Sequence, residues 1–228
     1  MIKDHLLLRY LEEQSFVDMF MDGHIRLNSL DFFLGEHDEP TKDGQIDVWE
    51  GLACPIDAQS IEDCKPLKGY RYCNLLCCNR LNYFQNEIGI VWSMNMEMAN
   101  FGDYVVIIKD PDEFQRRLVS AADERQYKCL CRGVDYSEKY DRSRDVFDKS
   151  TRYAYQNEWR AALYRGVTKC EPCELNIGPV DDISEWCYTR ELEGHIIRIF
   201  SDKDFVSTHD DSLGNVTRSE FSELFLQI

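Results

Sequence analysis

The chain has 228 residues and a mass of 26.8 kDa, enough for one well-filled domain and short for two. Hydrophobic residues make up 43% and aromatic residues 12%, which excludes a disordered or fibrous protein, and no apolar run reaches the roughly 18–20 residues that span a bilayer. Acidic residues outnumber basic ones by 42 to 26, a net charge of −16, so bulk charge does not draw the protein to DNA or to an anionic membrane.

The first predicted element is a strand over 5–10, with Leu6, Leu8 and Tyr10 on one face and Leu7 and Arg9 on the other. A helix follows over 12–22, where Phe16, Met19 and Phe20 recur at helical spacing, and Gly23 stops it. Residues 25–29 are extended and lead to an aromatic patch at Phe32 and Phe33. The polar stretch 35–47, with Gly35, Pro40 and Gly44, reads as a loop. Extended segments are expected at 70–78 and 88–95. The apolar run 104–108 is a buried strand between Gly102 and Asp110-Pro111. A helix then spans 112–122, directing Phe114, Leu118 and Val119 inward. Further strands are expected near 130–136, at 158–164, at 175–177 before the Gly178-Pro179 turn, and at 194–200. A closing helix is expected over 219–227. Helices towards the front and strands towards the back imply an α+β fold, a single domain over 1–228 with its core over 5–200.

The ten cysteines open two readings, structural zinc and buried free thiols. The opening residues lack a basic flank and apolar stretch, so a cytoplasmic, reducing setting is expected. Cys170 and Cys173 form one C-x-x-C pair, Cys77 and Cys78 are adjacent, and Cys129-x-Cys131 is too tight for a usual chelate. The five histidines stand at 5, 24, 37, 195 and 209, none at ligand spacing from another. Free thiols are the expectation, with no metal.

Charge is unevenly placed. Residues 1–114 hold 9 basic and 21 acidic residues, whereas 125–169 holds 11 basic against 6 acidic. This basic stretch, from Arg125 to Lys169, is either a local site for a phosphate-bearing ligand or nucleic-acid segment, or a solvated face paired with the acidic half.

The common nucleotide, zincin and hydrolase motifs are absent. Four polar groupings remain. Arg9 with Tyr10 offers a guanidinium fork beside a stacking ring, suited to phosphate or ribose, or else forms a strand salt bridge. Gln156 and Glu158 point to one face of a strand and converge on a ligand, or Glu158 pairs with Arg160 or another base. Ser93 follows Ile90-Val91-Trp92 as a pocket or strand-end hydroxyl. Asp47 and Glu50 support a site or cap a turn.

The order of these pieces resembles the ADP-ribosyltransferase superfamily. It is similar to bacterial and phage members with a late Q/E-x-E-W-R strand: Arg9-Tyr10 on the first strand, a helix ending at Gly23, Ile-Arg-Leu-Asn-Ser over 25–29, then Gln156-x-Glu158-Trp159-Arg160. The resemblance implies a mixed-sheet core with flanking helices and NAD as the group donor. It implies that Arg9, Tyr10, Asn28 and Ser93 bind NAD, that Glu158 is the catalytic carboxylate, and that Gln156 helps choose the acceptor. A carboxylate beside the ribose would stabilise the oxocarbenium-like state more than bound NAD. The implied activity is ADP-ribosylation of a protein or nucleic acid, in a toxin or phage-defence setting. The alternatives are a non-catalytic acidic protein that binds or inhibits a basic partner, through acids such as Glu36, Asp38 and Glu39, and an NAD glycohydrolase. On the transferase reading, Glu158→Gln reduces turnover by roughly two to three orders of magnitude with the fold retained.

Overall fold

The computed structural model describes residues 5–33, 52–53, 65–66, 73–86, 89–92, 94–137, 145–167 and 171–201. The elements run β1 (His5–Leu11), α1 (Gln14–Met21), β2 (His24–Ser29), α2 (Leu30–Phe33), β3 (Leu52–Ala53), β4 (Lys65–Pro66), β5 (Cys73–Asn86) and β6 (Gly89–Trp92). They continue as β7 (Tyr104–Ile108), α3 (Pro111–Glu124), β8 (Lys128–Gly133), β9 (Asp135–Ser137), β10 (Asp148–Ser150), β11 (Glu158–Tyr164), β12 (Cys173–Asn176), β13 (Ser184–Tyr188) and α4 (Leu192–Ser201). The class is α+β, with a large antiparallel sheet and few helices. Packing divides the chain into a main unit, Lys3–Leu192, and a C-terminal unit that begins at Glu193. Among the described residues no helix is long and apolar enough to cross a membrane.

β5 organises the sheet of the main unit. Asn79 pairs with Leu8 of β1 on one side and with Glu158 of β11 on the other. Leu75 likewise pairs with Asn28 of β2 and with Ala162 of β11, so β1 and β2 share one edge of β5. β7 and β13 extend the sheet beyond β1, β12 extends it beyond β2, and β8 lies outside β11. β9 and β10 form a separate parallel pair.

Both faces of the central strands are covered, which is why Leu6, Leu7 and Leu8 are all buried despite their alternation. On one face α1 and α3 cover Leu7, Leu27, Leu76, Val106 and Trp159. Phe114 of α3 stacks on Phe20 of α1 at 5.7 Å and meets Trp159 at 6.3 Å. A smaller cluster, including Leu75, Val146, Phe147 and Ala162, lies elsewhere.

α3 forms where its capping residues predict. The Asp110 side chain accepts from the Glu113 N–H at 2.9 Å, Pro111 supplies the first turn, and Asp112 and Glu113 face the positive end of the helix dipole. Asp110→Ala is expected to cost about 1 kcal/mol in a urea melt. Gly23 has φ +85° and sits so close to the Gly178 backbone that a Cβ would overlap it, so the α1–β2 turn requires glycine.

Several expectations need correction. The buried residues of α1 are Val17 and Phe20, whereas Phe16 and Met19 are each 40% exposed. In α3 Val119 is half-buried, and Ala121 and Ala122 take the inward positions. The predicted strand at 194–200 is the helix α4. Its buried residues Leu192, Ile196, Ile199 and Phe200 follow a helical period that outweighs its isoleucine-rich composition. The stretch 130–136 is two strands, β8 and β9, separated at Val134. The loop 35–47 and the helix at 219–227 lie outside the described residues.

Candidate functional site

Between the β2 pairing at Asn74–Leu75 and the β1 pairing that starts at Asn79, three residues of β5 have neither strand beside them: Leu76, Cys77 and Cys78. A cleft of about 400 Å³ opens at this seam. Phe16, Met19 and Phe20 of α1, with Met98 and Phe101, form an apolar wall, and Arg9, Arg26, Lys149, Glu158 and Arg160 line the polar part.

Arg9, Tyr10, Asn28, Gln156 and Glu158, the candidates that lie among the described residues, all border this cleft. Ser93 lies outside them, as do Asp47, Glu50, Glu36, Asp38 and Glu39. Alternation puts Arg9 on the face opposite Leu8, Asn79 and Glu158. β1 has no β5 partner beyond Leu8, however, and the Arg9 guanidinium reaches into this opening and donates to the Cys77 carbonyl at 2.7 Å. Tyr10 is buried, and burial pushes its phenol well above the ordinary tyrosine range. The Asn28 side chain accepts from Arg26 at 3.2 Å.

Glu158 opens β11 and is almost wholly buried. Its Oε1 accepts from Lys149 Nζ at 2.7 Å and its Oε2 from Arg160 Nε at 2.7 Å. Lys149 also donates to Gln156 Oε1 at 2.8 Å and lies over the Tyr153 ring. Burial alone would raise the Glu158 carboxyl, but the Arg160 and Lys149 charges overcome it and hold the group below the usual carboxylate range. The site therefore holds an ionised carboxylate between two buried cations. The Glu158 N–H donates to the Tyr136 hydroxyl at 2.8 Å, and burial pushes that phenol up to about 12.

Gln156 and Glu158 do converge, but not through strand alternation: Gln156 ends a short 3-10 turn, Thr151–Gln156, and the two meet on Lys149. Asn157 between them takes the left-handed conformation at φ 39°. Its side chain bonds Arg80 of β5 in both directions, which sets where β11 begins. The sequence reading missed Lys149 and Asn157 as site residues. Lys149 registered only as one charge of the basic stretch, while N-E at a strand start carried the Asn157 signal.

Among the described residues, the rest of that stretch is mostly engaged within the protein. Arg132 pairs with Asp135 and Asp145 and stacks on Phe147, and Arg165 bonds Asn74 and the Glu171 carbonyl. Lys149 and Arg160 are the members that border the cleft. Lys139, Arg142, Arg144 and Lys169 lie outside the described residues. Among the described residues the cysteines, Cys173 included, form no disulfide, and Cys170 lies outside the described set.

No family model, no curated protein and no solved structure matches the chain.

Proposed function

We propose that the chain is an NAD-dependent ADP-ribosyltransferase acting on a protein or nucleic-acid acceptor, with the cleft at the β1/β2 seam as its active site. The observation that carries the reading is that Arg9 and Glu158, from distant parts of the chain, both border one cleft. The cleft volume of about 400 Å³ falls within the range of small-molecule sites. Its aromatic wall suits planar rings, and its cations suit a pyrophosphate. In this reading Arg9 orients the dinucleotide and Glu158 stabilises positive charge developing on the ribose once the nicotinamide bond loosens. Gln156 and Lys149 position Glu158.

The expected result is a rise in melting temperature with NAD that Arg9→Ala abolishes, together with transfer of label from NAD to a component of a cell lysate. Absence of both effects in a folded preparation overturns the proposal. Release of nicotinamide without any acceptor identifies a glycohydrolase instead.

One observation favours a second reading: both Glu158 oxygens are already engaged by Lys149 and Arg160. A site so occupied suits a protein that binds an anionic ligand without turnover. That reading predicts an NAD-dependent melting shift with neither label transfer nor nicotinamide release.

A further inference from the structure

An acceptor that attacks through a hydroxyl must give up a proton, and Glu158 is poorly suited to take it, because both of its oxygens are engaged by Lys149 and Arg160. A second carboxylate-bearing pair borders the same cleft. His24 opens β2, Glu174 lies on the neighbouring β12, and His24 Nδ1 stands 2.9 Å from Glu174 Oε1. A carboxylate only accepts, so the ring donates through Nδ1 and keeps Nε2 as its acceptor. Among the described residues Nε2 makes no further hydrogen bond, and both side chains are open to solvent.

Strand register sets this pair level with Glu158. Asn28 pairs with Leu75, so alternation puts His24, Arg26 and Asn28 on the sheet face that carries Leu75, Asn79 and Glu158. Glu174 pairs with Arg26 and shares that face. β2 runs antiparallel to β5, so stepping back from Asn28 to His24 matches stepping forward from Leu75 to Asn79, the partner of Glu158. The opening where β2 leaves β5 lies between the two groups, and both border it. The Arg125 guanidinium donates to the Glu174 carbonyl at 2.8 Å and fixes the β12 end of the pair. An exposed pair of this kind adds little to stability, so its removal is expected to leave the fold intact.

Resting on the transferase reading, we propose that His24, oriented by Glu174, is the general base for a hydroxyl acceptor. The acceptor oxygen bonds to the ribose carbon as the bond from that carbon to the nicotinamide nitrogen breaks. Nicotinamide leaves with the electron pair of the broken bond, and the hydroxyl proton passes to His24 Nε2 and then to solvent. An ionised carboxylate acceptor has no proton to lose and needs no base, so the pair assigns the acceptor to the hydroxyl class.

The test is label transfer from NAD to a cell lysate, read beside the NAD-dependent melting shift. His24→Ala is expected to lower the initial transfer rate roughly a hundredfold or more and to keep the melting shift, and added imidazole is expected to restore part of the rate. Glu174→Gln lowers the rate by a smaller factor. The transferred label survives neutral hydroxylamine, which strips carboxylate esters. A thermal melt without NAD establishes that each variant is folded, and His24→Ser replaces the alanine variant if that one is not. Transfer at the wild-type rate in the folded His24 variant, or label removed by hydroxylamine, overturns the inference and leaves the transferase reading standing. So does loss of the melting shift together with transfer, which makes His24 a binding residue, or a loss of rate that imidazole does not relieve, which makes it a structural one. No transfer by the wild type overturns the transferase reading and this inference with it.

Discussion

Glu158→Gln is expected to destabilise the fold by about 3–5 kcal/mol, because it leaves Lys149 and Arg160 buried without the anion between them. The structure thus revises the sequence-based expectation that this substitution spares the fold. Replacing the whole cluster with apolar residues, as in Lys149→Met/Glu158→Leu/Arg160→Met, should recover most of that loss, since the desolvation of all three charges disappears together. Urea midpoints of the single and triple variants measure both effects. A triple variant no more stable than the single one would show that the ion cluster is not the source of the loss. The same pairing sets a pH dependence. The carboxyl is depressed in the folded state, so its contribution is complete above the unfolded-chain value of about 4.3 and is lost as pH falls through the lower folded value. Wild type should therefore lose more stability than Glu158→Gln between neutral and strongly acidic pH. If the triple variant is as stable as wild type but shows no NAD-dependent shift, the cluster serves ligand binding rather than folding.

Phe114→Ala should cost about 3–5 kcal/mol in the same measurement. The ring is fully buried and touches Phe20 and Trp159, so truncation opens a cavity between α1, α3 and β11. Phe114→Leu, which refills most of the volume, should recover more than half of the loss. Phe20 also borders the cleft, so Phe114→Ala should weaken any NAD-dependent melting shift even where the variant remains folded. An unchanged shift would mean that α1 keeps its position without that contact.

The parts of this fold that are legible in the sequence depend on local signals. β1, β7 and α3 combine a continuous apolar stretch or a capped amphipathic one with clear punctuation at Gly102, Asp110 and Pro111. β13 was missed because its serine, glutamate and tyrosine dilute the apolar pattern; as the strand beyond β7, it has a sheet neighbour on one side only among the described residues. Residues 194–200 combine strand-favouring isoleucines with an apolar spacing of helical period, and in α4 the spacing prevails. At the candidate site, Arg9 and Glu158 were readable from residue type and from strand position. Lys149 was not, since what places it against Glu158 is the separate β9–β10 pair, a non-local arrangement with no sequence period. The exposure of Phe16 and Met19 was equally hidden, because helical spacing marks an apolar stripe without saying whether it faces a core or a cleft.

The gap along β5 has a mechanical side. Two wings of sheet, one led by β1 and the other by β2, hang from the same edge of one strand, and the eight-residue α1 is the chain between them and packs on both. The aperture between the wings is therefore governed by how that short helix seats. A substitution on its buried side, at Val17, would act as a dial on the width of the opening without touching a polar group within it.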